Sequence, residues 1–139
     1  MNSSYDKILH REYDQRRSLP ICERRTEILE AIRAHQVTII TGETGSGKTT
    51  HLPLLCLEAG RGRLGRIVCT QPRRIAAISL ATYVGSLLPD VPASTVASKT
   101  RFHDTLDPST RIAFVTDGIL LAESVTDPLL KRYDTIIID

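Results

Sequence analysis

V-T-I-I-T-G-E-T-G-S-G-K-T-T, Val37 to Thr50, is the stretch from which the rest of the chain is read. Apolar and β-branched residues lead into a glycine-rich turn, and the turn leads into residues able to open a helix. The spacing therefore predicts a strand ending at Thr41, a loop, and a helix beginning at Lys48. Gly42, Gly47, Lys48 and Thr49 occupy every fixed position of G-x-x-x-x-G-K-[ST], in the strand-before, helix-after context that gives this motif its meaning.

The residue types follow from the chemistry of a triphosphate, which places several negative charges on a narrow rod. A loop that binds it must crowd backbone N–H groups together without Cβ atoms in the way, and Gly42, Gly45 and Gly47 permit that. A helix starting after Gly47 adds unpaired N–H groups and the positive end of its dipole. Lys48 brings a point charge to the β- and γ-phosphates, and the Thr49 hydroxyl is placed to ligate Mg²⁺. The nucleotide-binding set is thus Gly42, Glu43, Thr44, Gly45, Ser46, Gly47, Lys48, Thr49 and Thr50.

At 139 residues the chain is long enough for one domain and too short for two of usual size. Its 41% hydrophobic and 24% charged content is that of an ordinary globular protein. The net charge of +2 says little, but its distribution says more. Between Glu58 and Asp90 there is no acid, while Arg61, Arg63, Arg66, Arg73 and Arg74 all fall there. Such a stretch suits either a polyanion or a solvated arginine face. Cys22, Cys56 and Cys69 form no C-x-x-C pair and read as small hydrophobes in a reducing compartment. The four histidines are scattered, which gives a zinc site no support. No apolar run approaches the ~20 residues of a membrane span, and a cytoplasmic protein without membrane partners is expected.

Residues 1–20 read as a polar lead-in, and 21–139 as the domain. Periodicity predicts helices over Ile21–His35, Lys48–Glu58, Pro72–Leu88 and Ile119–Val125, with Pro53 in the first turns of the second. Strands are expected at Arg66–Thr70, Thr95–Thr100, Arg111–Thr116 and Thr135–Asp139. This alternation points to an α/β fold with a mostly parallel sheet, whose strands read as continuous apolar runs because helices cover both faces. Ligands of such sheets sit beyond the carboxyl ends of the strands. Thr70 to Arg74, Thr116 to Gly118 and Asp139 all follow strands, so they belong on one edge.

Ile136-Ile137-Ile138-Asp139 is an apolar strand ending in a carboxylate, which suits a second magnesium-positioning group. Arg73 and Arg74 stand at a helix start, where guanidinium groups and free N–H groups can hold nucleic-acid phosphates; structural ion pairs could use the same arginines. An aromatic content of 4% favours backbone contacts over base stacking.

Gly42 to Thr50, T-Q-P-R-R-I-A-A at Thr70 to Ala77, T-D-G-I-L-L at Thr116 to Leu121, and Y-D-T-I-I-I-D at Tyr133 to Asp139 resemble, in order and spacing, the first RecA-like domain of DEAH-box RNA helicases. The resemblance covers roughly residues 19–139 and looks closest to the bacterial branch. It implies a RecA-like P-loop NTPase fold, ATP and Mg²⁺ as cofactors, and single-stranded RNA as partner. By the same resemblance Lys48, Thr49 and Asp139 serve catalysis, Thr49 and Asp139 the metal, and Arg73, Arg74, Arg101, Phe102 and Thr116 the RNA backbone.

Three departures accompany it. Tyr83 stands where the family usually has an arginine that packs on adenine, and Ala97-Ser98 where it commonly has Gly-Tyr. The chain stops at Asp139, before the expected Glu-Ala-His, which implies a domain incomplete at its C-terminus, binding nucleotide weakly and unwinding nothing alone. A non-catalytic, nucleotide-responsive RNA-binding module is the alternative. A P-loop kinase or GTPase is disfavoured, since Asn2 is the only asparagine available for an N-K-x-D guanine reader.

Overall fold

The computed structural model describes Lys7 and residues 18–139, so most of the expected lead-in lies outside the described residues. Contacts gather into two compact units, one running to Gly60 and the other from Arg61 to Asp139.

In the first unit the described helices are α1 (Pro20–Glu23), α2 (Arg25–Ala34) and α3 (Lys48–Glu58). The single helix expected over Ile21–His35 is broken at Arg24, whose φ of −98° and ψ of 15° leave the helical region. The cause is local: the N–H groups of Cys22 and Glu23 both return to the Leu19 carbonyl, closing a tight turn before the chain restarts. Ile28, Leu29 and Ile32 are buried, as their spacing demands, and α2 packs on α3. An Arg25–Glu58 ion pair joins the two helices. Leu54 and Leu55 are fully buried on α3, and each such burial contributes about 2 kcal/mol. Pro53 is the sixth residue of α3, within its first two turns as the sequence placed it, and removes one internal ladder bond.

The strand expected to end at Thr41 is not formed. Residues 38–43 have no regular structure, and Val37 and Ile39 are 78% and 86% exposed. β-Branched residues favour a pleated, half-buried surface, but without a paired neighbour that preference has nothing to act on.

The second unit is a five-stranded sheet with helices: β1 (Arg66–Gln71), α4 (Arg74–Ser86), β2 (Val96–Thr100), β3 (His103–Asp104), β4 (Ile112–Thr116), α5 (Asp117–Thr126) and β5 (Tyr133–Ile137). The strand order is β3-β2-β4-β1-β5, with every pairing parallel except the short β2–β3 hairpin. Ile67, Val68, Ile112, Ala113, Phe114 and Val115 have no exposed surface, as expected of strands covered on both faces. Helix α4 packs along β2 and β4, and α5 along β4 and β1.

A half-buried carboxylate ties this unit together. Glu123 on α5 accepts from the Tyr133 hydroxyl at the start of β5 and from Lys99 Nζ on β2 at 3.2 Å, with Arg132 at 3.5 Å. Burial first, and then the Glu123 carboxylate, hold the Tyr133 phenol protonated well above the ordinary tyrosine range. Among the described residues no helix is long and apolar enough to cross a membrane.

Candidate functional site

The phosphate-loop residues and the strand-end residues fall in different units, and each group has its own geometry. In the first unit the loop tightens through Ser46 N–H to Glu43 O at 3.1 Å, and Ile21 N–H donates to Ser46 O at 3.2 Å. Gly45 and Gly47 have φ of 86° and 90°, in the left-handed region that favours glycine. At Gly42 space is tight rather than the backbone left-handed, since a Cβ there would lie 3.1 Å from Ser46 Oγ, which would have to shift slightly.

Gly47 caps α3 with no side-chain hydrogen bond, so no capping side chain covers the start of the helix. Lys48 Nζ folds over the loop, donating to Gly42 O, to Glu43 O at 3.1 Å and to Ser46 Oγ at 3.3 Å. A lysine bonded to neutral carbonyls keeps its charge for an anion. The Thr50 hydroxyl donates to Gly47 O at 3.3 Å and meets His51 Nδ1 at 2.8 Å, so it braces the loop.

Beside the loop lies a cleft of about 350 Å³, lined by Ile21, Arg24, Glu27, Ile39, Gly42 and Lys48 among others. Its size falls in the range of small-molecule sites. Arg24 grips Glu27 with two hydrogen bonds, at 2.5 and 2.7 Å. Those bonds first, and the guanidinium charge second, hold the Glu27 carboxyl below its usual range. The sequence reading missed Ile21, Arg24 and Glu27, which only the turn at Arg24 and the return of the loop bring near Lys48.

In the second unit the strand-end residues share one edge. Registers Gln71 to Thr116 on β1–β4 and Cys69 to Ile137 on β1–β5 align the carboxyl ends of three parallel strands, and Lys99 aligns with Val115 on the fourth. Thr116 ends β4, and just beyond the other ends stand Arg73, Asp139 and Arg101-Phe102. Gln71, itself buried, donates Nε2 to Asp139 Oδ2 at 2.8 Å, so the β1 end positions the carboxylate of the β5 end.

Arg73 is the N-cap of α4 and Thr116 the N-cap of α5, neither with a side-chain cap bond. Two helix N-termini therefore open on this edge, with Arg73 and Arg74 exposed beside one of them. Phe102 is 80% exposed, with the Arg101 guanidinium 5.2 Å from its ring centre. Tyr83, in contrast, is only 39% exposed on α4.

The arginine-rich stretch is not one patch. Arg66 opens β1 while Arg73 and Arg74 follow its far end, and at ~3.3 Å per residue the two ends of the strand are about 17 Å apart.

Among the described residues no group of three or more His, Cys, Asp or Glu could hold a metal ion. The hydroxyl of Thr49 and the carboxylate of Asp139 are hard oxygen donors of the kind Mg²⁺ accepts in ones and twos beside phosphates and water.

The chain is 52% identical over 122 residues to the ATP-dependent RNA helicase HrpA of Escherichia coli, covering 88% of this chain and 9% of that protein. It is 46% identical over 125 residues to the human ATP-dependent RNA helicase DHX33, covering 90% and 18%. Against the pre-mRNA-splicing factor ATP-dependent RNA helicase DEAH10 of Arabidopsis thaliana it is 44% identical over 127 residues, covering 91% and 18%. No family model matches. The chain spans 9–18% of the length of these curated relatives. Over 88–91% of its length, then, the chain is 44–52% identical to a short part of DEAH-box ATP-dependent RNA helicases.

Proposed function

We propose that residues 21–139 are ATP-binding sequence from the first RecA-like domain of an RNA helicase that couples ATP hydrolysis to RNA unwinding in the cytoplasm. The observation that carries this reading is the uncapped start of α3 at Gly47, with Lys48 held on neutral carbonyls at its mouth. Residues Gly42 to Thr50 hold the triphosphate, and the cleft beside Lys48 gives the rest of the nucleotide room. Thr49 and Asp139 hold Mg²⁺, which when bound neutralises phosphate charge. The Gln71 amide aims Asp139 for that role.

Arg73, Arg74, Arg101, Phe102 and Thr116 take the RNA backbone at the carboxyl edge. Side-chain phosphate contacts and two helix N-termini position a strand without reading its sequence. The relatives are about five to ten times longer by the coverage above, so unwinding is assigned to the whole protein. The polypeptide of 139 residues binds nucleotide weakly and does not unwind.

Titration with a fluorescent ATP analogue tests the first half: Lys48→Ala is expected to lower affinity at least tenfold, and equal binding by the variant would overturn the loop assignment. Strand displacement by the purified 139-residue chain, present in the native sequence and absent from Lys48→Ala, would overturn the second.

A further inference from the structure

We propose that the amino-terminal edge of the sheet, opposite the candidate RNA edge, is a second phosphate-binding face built from Arg63, Arg66, Arg111 and Lys131, and that it takes the sugar–phosphate backbone of a polynucleotide. The proposed function enters only in the choice of RNA as that polynucleotide.

Three neighbouring strands carry an arginine near the same level. Arg66 opens β1, Arg111 immediately precedes β4, and Arg132 immediately precedes β5. The register Ile67 to Ile112 sets Arg66 beside Arg111 on backbones ~4.8 Å apart, and Arg66 pairs with Tyr133, so Arg132 stands one residue before that level. Backbone bonds from Arg66 N to Arg132 O at 3.0 Å and from Ile67 N to Arg111 O at 2.8 Å fix the arrangement. Like charges held so close raise the energy of the folded chain unless something balances them.

Arg132 is balanced, with Glu123 at 3.5 Å and Asp127 at 3.7 Å. Arg66 and Arg111 are fixed without being neutralised. Arg66 Nη2 donates to Asp107 O at 2.9 Å and Arg111 Nη1 to Gly62 O at 2.9 Å, and both acceptors are carbonyls. A guanidinium carries five donors in a planar fork, and each of these arginines commits one here, which leaves a preorganised fork for phosphate oxygens.

Arg63 is anchored by its own N–H, which donates to Asp134 Oδ2 at 3.1 Å, while its side chain is exposed and has no partner among the described residues. Lys131 is likewise exposed, with no partner among the described residues.

Three acids of this edge, Asp107, Asp134 and Asp127, are committed elsewhere. Asp107 accepts from Ser109 N–H at 2.7 Å and Ser109 Oγ at 2.6 Å, Asp134 accepts from Gly62 and Arg63, and Asp127 faces Arg132. Asp90, in the connection before β2, is exposed and belongs to the same edge. The exposed apolar side chains here are Leu64 and Leu129, at 96% and 75%. A protein interface buries an apolar core depleted of charge, whereas nucleic-acid interfaces are polar and positive, and four unneutralised cations fit the second description. The cations span the start of β1, the residue before β4 and two loops, which is more than one phosphate can engage.

The test is the salt dependence of single-stranded RNA binding by the 139-residue chain, followed by fluorescence anisotropy. The variants are Arg63→Ala with Lys131→Ala and, separately, Arg73→Ala with Arg74→Ala. Arg63 and Lys131 have no side-chain partner among the described residues, and unchanged circular dichroism confirms folding. The first pair is expected to reduce the slope of log affinity against log salt by about 1.4, since a single strand loses roughly 0.7 per phosphate contact removed. No change with the first pair, beside a loss with the second, overturns this proposal and leaves the candidate RNA edge standing. A loss with the first pair alone supports the second face and removes the carboxyl-edge assignment. No change with either pair removes both. Poly-glutamate displacing RNA at equal charge concentration, and doing so only when Arg63 and Lys131 are present, would overturn the choice of polynucleotide in favour of an acidic protein.

Discussion

Two glycine-rich loops in this chain use the same backbone device for opposite purposes. Gly42 to Lys48 turns on Gly45 and Gly47, with φ of 86° and 90°, and Gly60 to Gly65 turns on Gly60 and Gly62, with φ of 96° and 80°. In the first loop a cation lies on the loop's carbonyls and the helix start is uncapped. In the second an anion lies on its amides: Asp134 accepts from Gly62 N at 2.6 Å and Arg63 N at 3.1 Å, while Arg111 holds the Gly62 carbonyl. A glycine loop offers its amides to an outside phosphate only when no carboxylate of its own has claimed them. What separates the two loops is Asp134, 72 residues along the chain from Gly62.

The strongest way to break this comparison is to remove that internal anion. Asp134→Ala leaves the Gly62 and Arg63 amides without their acceptor, at about 2–3 kcal/mol in unfolding free energy. Asp134→Asn keeps one acceptor oxygen and is expected to cost about half as much. Urea denaturation reads both, and amide exchange at Gly62 and Arg63 should accelerate in the alanine variant. Native-like midpoints for Asp134→Ala would mean that the carboxylate does not clamp the loop.

The same contrast explains what the sequence could and could not disclose. Helix α3 was readable to its end residues, and β1, β2, β4 and β5 to within two residues at each end, because their apolar runs find partners: Ile67 and Val68 are 0% exposed. Val37 to Thr41 has the same β-branched character and forms no strand, with Ile39 86% exposed. Propensity belongs to residues, whereas a strand belongs to a pair of segments. The two-residue β3, His103–Asp104, is too short to carry any period. At the candidate site the glycine loop and the strand-end residues were readable because spacing or strand position fixes them. The Arg24–Glu27 wall of the cleft and the separation of Arg66 from Arg73 were not, since both depend on where a turn or a strand carries the chain.

Next in size is Gly47→Ala. A left-handed alanine costs roughly 1–2 kcal/mol, and the added Cβ would meet Ile21 Cγ2 at 3.0 Å and Leu19 Cδ1 at 3.3 Å. Because Gly47 also caps α3, nucleotide affinity should fall together with the unfolding midpoint. A variant that loses stability and keeps full affinity would separate the cap from the phosphate site.

The smallest effect gives the sharpest comparison, because Gly45 and Gly60 are a matched pair. Both have left-handed φ, at 86° and 96°, and a Cβ on either would have no heavy atom within 4 Å. Backbone strain alone therefore acts on Gly45→Ala and Gly60→Ala, at about 1 kcal/mol each, and their unfolding midpoints should shift alike. Their ligand responses should differ. The Gly45 amide belongs to a loop whose anion comes from outside, so Gly45→Ala should weaken nucleotide binding several-fold. Gly60 adjoins a loop already held by Asp134, so Gly60→Ala should leave nucleotide binding unchanged. If both substitutions weaken nucleotide binding equally, the loss reflects stability and the distinction between the two loops fails.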